Sequence, residues 1–413
     1  MGILVWLWNF ALEMFFRSKL IVGLDIGSHT IKLAKLRRYR SGRVELVAFE
    51  TDKLPPETIV DGRIFNFDAV VKCIRGLARK VGVEGADCAI SISDHSVIIK
   101  KINIPKMTME ELEGCIEWEA EQYIPFDIKD INVDVQILNP DAGQDTMDVL
   151  LVAGKKDIVR DYKSVAEEAG LRPVVVDADT FACQNAFWLN YGFPLNEVVA
   201  LVNVGDSEIN ISVVSNSITV FTRNISMGGS FLTEEIMKGL NVSWEDAEKH
   251  KTEGDDTLSS SAVFREVQKI SGCVSETLVT EIRHSLDFFA ATTINADISR
   301  IYLSGGAAQM SAFIRAMERR LIVPVELINP WRNIVIDLCR FDMCQLERMS
   351  PLATVAVGLA MRFNGDRKAK ESGVRINLAH QERNARRSRR PWRFHRLPWS
   401  VSLWRYRLTL AKD

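Results

Sequence analysis

No two of the seven cysteines (Cys73, Cys88, Cys115, Cys183, Cys273, Cys339, Cys344) have the CxxC spacing of zinc sites and thiol-redox motifs, and no His cluster accompanies Cys339 and Cys344. This leaves no evident ligand set for a metal, and the cysteines read as reduced packing residues of a cytosolic protein. A bilayer-spanning run is also missing. Residues 1–16 are almost wholly apolar, with Trp6, Trp8, Phe10, Phe15 and Phe16, but they fall short of the roughly 20 residues a spanning helix needs. The stretch has no basic n-region and no small-residue cleavage site, so a secretory signal is not the expectation. Two readings of it stay open: an interfacial anchor, or an upstream extension of a chain that starts at Met14.

What is present is ordinary globular composition, 47% hydrophobic and 26% charged over 413 residues, enough for two or three domains with cores of their own. The net charge of −2 conceals an asymmetry: residues 366–413 carry 14 Lys or Arg against 4 Asp or Glu, net +10, leaving −12 for the rest. Body and tail therefore attract different partners.

Residues 19–37 read as two extended runs, LIVGLDIG and TIKLAKL, joined by a Gly-Ser-His turn. A similar set recurs at residues 198–204, 209–214 and 217–222, a weak internal echo that predicts two similar lobes. Between the sets, helical and extended patterns alternate. Residues 68–81 have helical spacing; residues 108–123 open on Thr108 with Glu111 in capping-box position; residues 133–138 and 148–153 look like paired strands. In the second half, residues 231–240, 244–253 and 261–293 are helical, a strand at 300–304 runs into Gly305-Gly306, and a helix starting at Pro351 closes the body. The alternation argues α/β architecture.

Three glycine turns carry the chemistry. A strand-Asp-x-Gly-strand turn suits phosphate, because glycine lets backbone N–H groups approach and the carboxylate can hold the water shell of a magnesium ion; here it comprises Asp25, Gly27, Ser28, His29 and Thr30. The second turn runs Asn203, Gly205, Asp206, Ser207, Glu208, and the third is Ser304-Gly305-Gly306-Ala307-Ala308, where a glycine pair leaves room for a flat base or ribose.

In order and separation these turns resemble the two phosphate motifs and the adenosine motif of the actin-like ATPases. Asp177-Ala178-Asp179, and the small residues Ala353, Ala356, Gly358 and Ala360, resemble the two connecting segments. Within that superfamily residues 19–362 resemble the PilM family of type IV pilus assembly proteins, through the stretch from Ile116 to Phe126 (IEWEAEQYIPF) and Val176-Asp177-Ala178-Asp179-Thr180-Phe181-Ala182.

The resemblance implies an α/β, two-lobed actin-like ATPase fold with duplicated ribonuclease H-like lobes and a small strand-helix-strand-strand insertion. The expected organisation is residues 1–18 as the apolar segment, 19–190 as lobe 1 with the insertion at about 87–140, 191–345 as lobe 2, 346–362 as a helix returning to lobe 1, and 363–413 as a basic Arg/Trp-rich tail. It implies ATP and Mg2+ as cofactors. The expected contacts are Asp25 (also to magnesium through water), Gly27, Ser28, Thr30 and Lys32; Gly205 and Ser207; and Gly305, Gly306 and Ala307. Glu248 and Lys251 match the segment that reaches ribose or base, against the alternative of a solvated helix face.

Two departures bear on turnover: Asn203 stands where an Asp is usual, and Glu208 where a hydroxyl would meet phosphate, unless the turn is shifted and Ser207 supplies it. Nucleotide binding with slow or absent hydrolysis is the expectation. Glu117, Glu119 and Glu121 fan around a helix and suit neither an acid/base pair nor a metal cage.

The family further implies a cytoplasmic scaffold, peripheral to the inner membrane, that binds the cytoplasmic start of PilN, a segment of the form Ile-Asn-Leu-Leu-Pro followed by basic residues. Other platform components, assembly ATPases and a homo-oligomer are further expected partners; an active ATPase and an FtsA-like filament protein are the alternatives. The chain contains a near copy of the PilN segment, Arg375-Ile376-Asn377-Leu378-Ala379, with arginines after it. A fused PilN start, a tethered occupant of the chain's own groove and a chance likeness all remain open. The interleaved Trp392, Phe394, Trp399 and Trp404 suit an anionic membrane surface; no nucleic-acid partner is expected.

Overall fold

The computed structural model describes residues 20–39, 41–192, 197–216, 218–252, 262–293, 297–362 and 374–379. The apolar segment at 1–18 and the aromatic tail fall outside them.

Lobe 1 is built on β1 (Leu20–Ile26), β2 (Thr30–Arg38) and β3 (Val44–Lys53), an antiparallel meander. A two-stranded ribbon, β4 (Ile59–Val60) and β5 (Arg63–Ile64), leads to α1 (Phe67–Val81). The Asn66 side chain caps α1 by accepting from the Ala69 N–H, and Gly82 ends it in the left-handed conformation. Then β6 (Asp87–Ile92) lies parallel to β1.

The chain next leaves this sheet for a separate unit. Here β7 (Val97–Pro105), α2 (Met109–Ala120), β8 (Ile131–Asn139) and β9 (Thr146–Lys155) form a three-stranded sheet of order β7-β9-β8 with its own core under α2. The capping box on α2 is complete in both directions. A strand-helix-strand-strand unit is present, but it covers 97–155 rather than about 87–140: β9 carries it past residue 140, and β6 is no part of it. Its sequence DCAISI is buried at five of six positions, the signature of a strand covered on both faces, and it sits inside the larger sheet.

Lobe 1 continues with α3 (Lys156–Glu168), β10 (Arg172–Ala178) and α4 (Asp179–Tyr191). In lobe 2, β11 (Val198–Val204), β12 (Ile209–Ser215) and β13 (Ile218–Ile225) repeat the meander. They are followed by α5 (Gly229–Leu240), α6 (Trp244–Thr252), α7 (Ala262–Thr292), β14 (Ile298–Ser304), α8 (Ser311–Arg320) and β15 (Val325–Leu327). Finally β16 (Ile334–Val335) joins the outer edge of β3, and α9 (Met343–Ala360) returns to pack on β1, β2 and α4.

The sheets run β10-β6-β1-β2-β3-β16 and β13-β12-β11-β14-β15. Leaving β16 aside, both have the order 3-2-1-4-5 in their own strands, so the echo in the sequence is a duplication of topology. The β1–β2 turn, the β11–β12 turn and the end of β14 all line one cleft.

Two local expectations change. The last helix begins at Met343, capped by Asp342, with Pro351 in its interior; Pro351 marks no start because eight helical residues precede it. Of the cysteines, Cys73, Cys88 and Cys183 are buried, and burial pushes each thiol up to about 12. Cys273, Cys339 and Cys344 are exposed, because they fall on outward positions of α7, a loop and the first turn of α9.

Candidate functional site

The antiparallel register places Asp25 opposite Lys32, and their side chains pair at 3.1 Å just before the first turn. A Cβ on Gly27 would lie 2.9 Å from Lys32 Nζ and 3.0 Å from the Thr30 carbonyl oxygen, so glycine keeps the lysine in place. In the second turn the Gly205 N–H donates to the Glu208 carbonyl oxygen, while the carbonyl oxygens of Gly205 and Asp206 accept from the Gly229 and Ser230 N–H groups at the start of α5. The third turn needs its glycine most: Gly305 has φ +91°, and a Cβ there would sit 2.2 Å from the Val204 carbonyl oxygen. Its N–H donates to the Pro351 carbonyl oxygen, which ties the turn to α9.

These turns surround one cleft of about 500 Å3. Asp25, Ser28, Thr30, Lys32, Gly205, Ser207, Glu248, Lys251, Gly305, Gly306 and Ala307 all line it. Gly27 stands just behind, against Lys32. The Ser28 hydroxyl donates to Ser207 Oγ at 3.2 Å, so the first two turns, 179 residues apart in sequence, touch.

Glu248 and Lys251 are not a solvated face. Their side chains are 12% and 13% exposed and pair at 2.9 Å, and Lys251 also donates to Thr233 Oγ1 and lies 4.0 Å from Asp206. Burial works to raise the Glu248 carboxyl, but the Lys251 charge and donated hydrogen bonds from Thr233 and Lys251 outweigh it and hold the group below the ordinary range. His29 lines the cleft with its Nε2 4.0 Å from Glu248.

The two departures in the second turn acquire structural roles. Asn203 accepts from the Ser304 hydroxyl at 3.2 Å and so braces the third turn. Glu208 accepts from Ser93 Oγ at 2.8 Å and from Asn224 Nδ2 at 2.7 Å, which engages both its oxygens and bridges the lobes. Ser207 is the hydroxyl that faces the first turn.

Two carboxyls, Asp94 and Asp179, stand out by their surroundings. Asp94 is pushed up to about 7, first by burial and then by the Glu208 charge, against the lowering effect of hydrogen bonds from Thr180 and Asn210. Asp179, which lines the cleft, is raised well above the usual range by burial and by the charges of Asp25, Asp94 and Glu208. A carboxyl raised in the folded state stabilises it while protonated, and that contribution is lost as pH climbs from the unfolded value near 4 through the folded value. Nucleotide-free protein is therefore expected to melt at a lower temperature at about pH 8 than at about pH 6. Asp94→Asn should flatten that slope and gain about 1–2 kcal/mol at the higher pH, read by paired thermal melts. An unchanged slope would remove Asp94 as its source.

The sequence reading missed several residues of the site. Gly229 lines the cleft and follows Gly228, whose Cβ would meet the Asp206 carbonyl oxygen at 2.4 Å. That glycine pair opening a helix is the same signal that marked Gly305-Gly306 and could have been found. Asp94, in a single 3-10 turn between β6 and β7, carried no such signal. Among the described residues, no group of three or more His, Cys, Asp or Glu is placed to hold a metal ion.

Comparison with known proteins follows this geometry. The family model described as type IV pilus assembly protein PilM matches residues 23–364. A solved PilM-PilN type IV pilus biogenesis complex contains a chain that superposes with a TM-score of 0.73 at 26% identity, covering 84% of this chain and 98% of that one. The ethanolamine utilization protein EutJ from Carboxydothermus hydrogenoformans superposes with a TM-score of 0.51 at 15% identity over 84% of this chain and 90% of its own, a likeness of fold alone. Cell division protein FtsA of Bacillus subtilis (strain 168) is 24% identical over 258 residues, 57% of this chain and 58% of that protein, so the chain spans somewhat over half the length of this relative. The fold is the actin-like ATPase fold.

Proposed function

Because the chain belongs to the PilM family of type IV pilus assembly proteins, we propose that it is a nucleotide-binding scaffold of a pilus assembly platform, which holds Mg-ATP between its lobes and captures the cytoplasmic start of a PilN-type partner. The observation that carries the nucleotide reading is the convergence of three glycine turns, from both sheets, on one cleft. The residues fit the ligand. A cleft of about 500 Å3 suits a nucleotide, Gly205 and Gly305 bare their backbone to it, and Asp25 presents a carboxylate to it.

Bound Mg-ATP would supply a polyanion and a hydrated cation able to link the two lobes. Lys32 and Lys251 would pair with phosphate oxygens, and the backbone N–H groups of the second and third turns would donate to them. Asp25 would orient magnesium-bound water, and Gly305, Gly306 and Ala307 would accept the flat base against backbone. The Ser28–Ser207 contact already joins the two lobes at the cleft, so a nucleotide bound beside it would touch both, which is how ligand occupancy would reach a partner surface.

Slow turnover follows from the second turn, where Asn203 and Glu208 are committed to bracing and bridging. Phosphate release is expected at least about a hundredfold below the roughly 10 per second of a typical enzyme. One observation favours an active ATPase instead: Asp179, a carboxyl of raised affinity for protons on the cleft wall, could take a proton from water. Release at ordinary enzyme rates, abolished by Asp179→Asn, would establish that second reading.

No helix among the described residues is long and apolar enough to cross a membrane. Peripheral attachment to the cytoplasmic face, through residues 1–18 or the basic tail, belongs to the same proposal. Trp118 and Phe126 on the insertion are 66% and 42% exposed, and such large apolar groups suit contacts with neighbouring platform subunits.

A further inference from the structure

Of the chain beyond Arg362, the structure describes residues 374–379, and they are buried in the body. Val374, Ile376 and Leu378 are 4%, 0% and 1% exposed and join the core of lobe 1. The apolar side chains alternate as on an extended strand, and Asn377 between two of them is buried as well. The segment lies between two sheet edges, β10 at the end of the six-stranded sheet and β8 at the end of the three-stranded one.

The groove satisfies the segment's backbone almost residue by residue. The Leu378 N–H donates to the Val176 carbonyl oxygen at 2.8 Å, and Asn377 Oδ1 accepts from the Val176 N–H at 2.9 Å, standing in for a backbone carbonyl on the β10 edge. From the β8 side, Gln136 Oε1 and Asp134 Oδ2 accept from the N–H groups of Arg375 and Asn377 at 2.8 and 2.6 Å. Asn185 Oδ1 accepts from the Val374 N–H, and Arg362 donates to the carbonyl oxygens of Val374 and Ile376 while paired with the buried Asp177. Gly154 leaves the space for Leu378, whose Cδ1 lies 2.8 Å from where a Cβ would be. Free edges that pair with an added strand, with pockets for alternate side chains, are a recurring way to hold a peptide.

The groove is made of residues inside the family match, which ends at residue 364, whereas its occupant lies beyond it. We propose that residues 374–379, of the pattern apolar-any-apolar-Asn-apolar followed by basic residues, fill in cis the groove in which the scaffold reading seats the partner's extended segment, so that partner capture requires release of the chain's own segment. The inference rests on the scaffold reading for the partner's existence; the cis occupancy stands on the contacts above. The arginines at 383, 386, 387, 389 and 390 follow the segment as the pattern requires.

A segment joined by so short a connection competes at an effective concentration on the order of millimolar. If its own affinity is about 10 μM, a partner segment binds the intact chain roughly a hundredfold more weakly than an open groove.

The test uses the full chain with a protease site placed within residues 363–373, and a fluorescent peptide copying residues 373–390 as probe. Cutting is expected to raise probe affinity at least tenfold, and uncut Ile376→Asp should show the same gain, since a carboxylate cannot stay in a dry socket. Unchanged Mg-ATP binding checks that the body is intact. Equal probe affinity before and after cutting, or no binding by either the cut chain or Ile376→Asp, overturns the inference. A cut chain that takes this probe but refuses a peptide copying the cytoplasmic start of a PilN protein overturns the scaffold reading and its partner, while cis occupancy survives.

Discussion

The Gly358→Val variant is expected to fail to fold, or to melt far below the wild type, with a loss of more than about 4 kcal/mol. Gly358 faces α4 at the crossing of α9, and a Cβ there would fall 1.7 Å from the Ala182 carbonyl oxygen and 2.5 Å from its carbon. Those are backbone atoms, so no rotamer change relieves the clash and the two helices must separate. On the other side of the same helix, a Cβ on Gly23 of β1 would meet the Ala356 carbonyl oxygen at 2.0 Å. Helix α9 is thus wedged between sheet and helix at atomic contact, and the third turn hangs from its Pro351 carbonyl oxygen. Moving α9 therefore disturbs the core and the cleft together. Gly76→Ala is the control: the site is exposed on α1, with no atom within 4 Å of the added Cβ, and a gain of about 0.5–1 kcal/mol is expected from helix propensity. Far-UV circular dichroism melts of the two variants check the pair. A wild-type melt for Gly358→Val would contradict the packing described for α9.

The Lys32→Glu variant is expected to lose nucleotide affinity by about a hundredfold or more, corresponding to roughly 3 kcal/mol. Lys32 is the cation paired with Asp25 at 3.1 Å beside the first turn. Reversing its charge removes an attraction for phosphate, sets a second carboxylate against Asp25, and adds to a cleft that already holds Asp179 and Glu208. Partial burial, with 12% of the side chain exposed, limits screening by salt. Lys32→Gln should lose only about tenfold, since it deletes a charge without opposing one. Titration of a fluorescent ATP analogue in the presence of magnesium reads both. Equal affinity of Lys32→Glu and wild type would place the phosphates elsewhere.

Much of this was legible in the sequence, for identifiable reasons. The hairpin at 20–38 and the three strands at 198–225 are visible because strand alternation and glycine turns are local signals, whereas β3 at 44–53 is not read from the sequence. The Thr108/Glu111 capping box was likewise a local pattern, and it is complete in the structure. The β-strand at 87–92 was assigned to the insertion because a short apolar run gives no clue to which sheet covers it; only the pairing with β1 and β10 decides that. Placement of the candidate site residues around one cleft depended on three turns that each carry a spaced glycine. The effect of the Glu208 charge on Asp94 escapes a sequence reading because the two lie far apart in sequence, and it exists only once β6 and β12 are brought together. The same holds for Asp134, Gln136 and Asn185, ordinary polar residues until residues 374–379 settle against them.

The most direct test of the account is a calorimetric titration of the full chain with ATP in the presence and absence of magnesium, alongside Asp25→Ala. Magnesium-dependent binding of one ATP per chain by the wild type, with heat lost in the variant, is the predicted result. No binding by a folded wild-type chain, or equal binding by Asp25→Ala with and without magnesium, would contradict it.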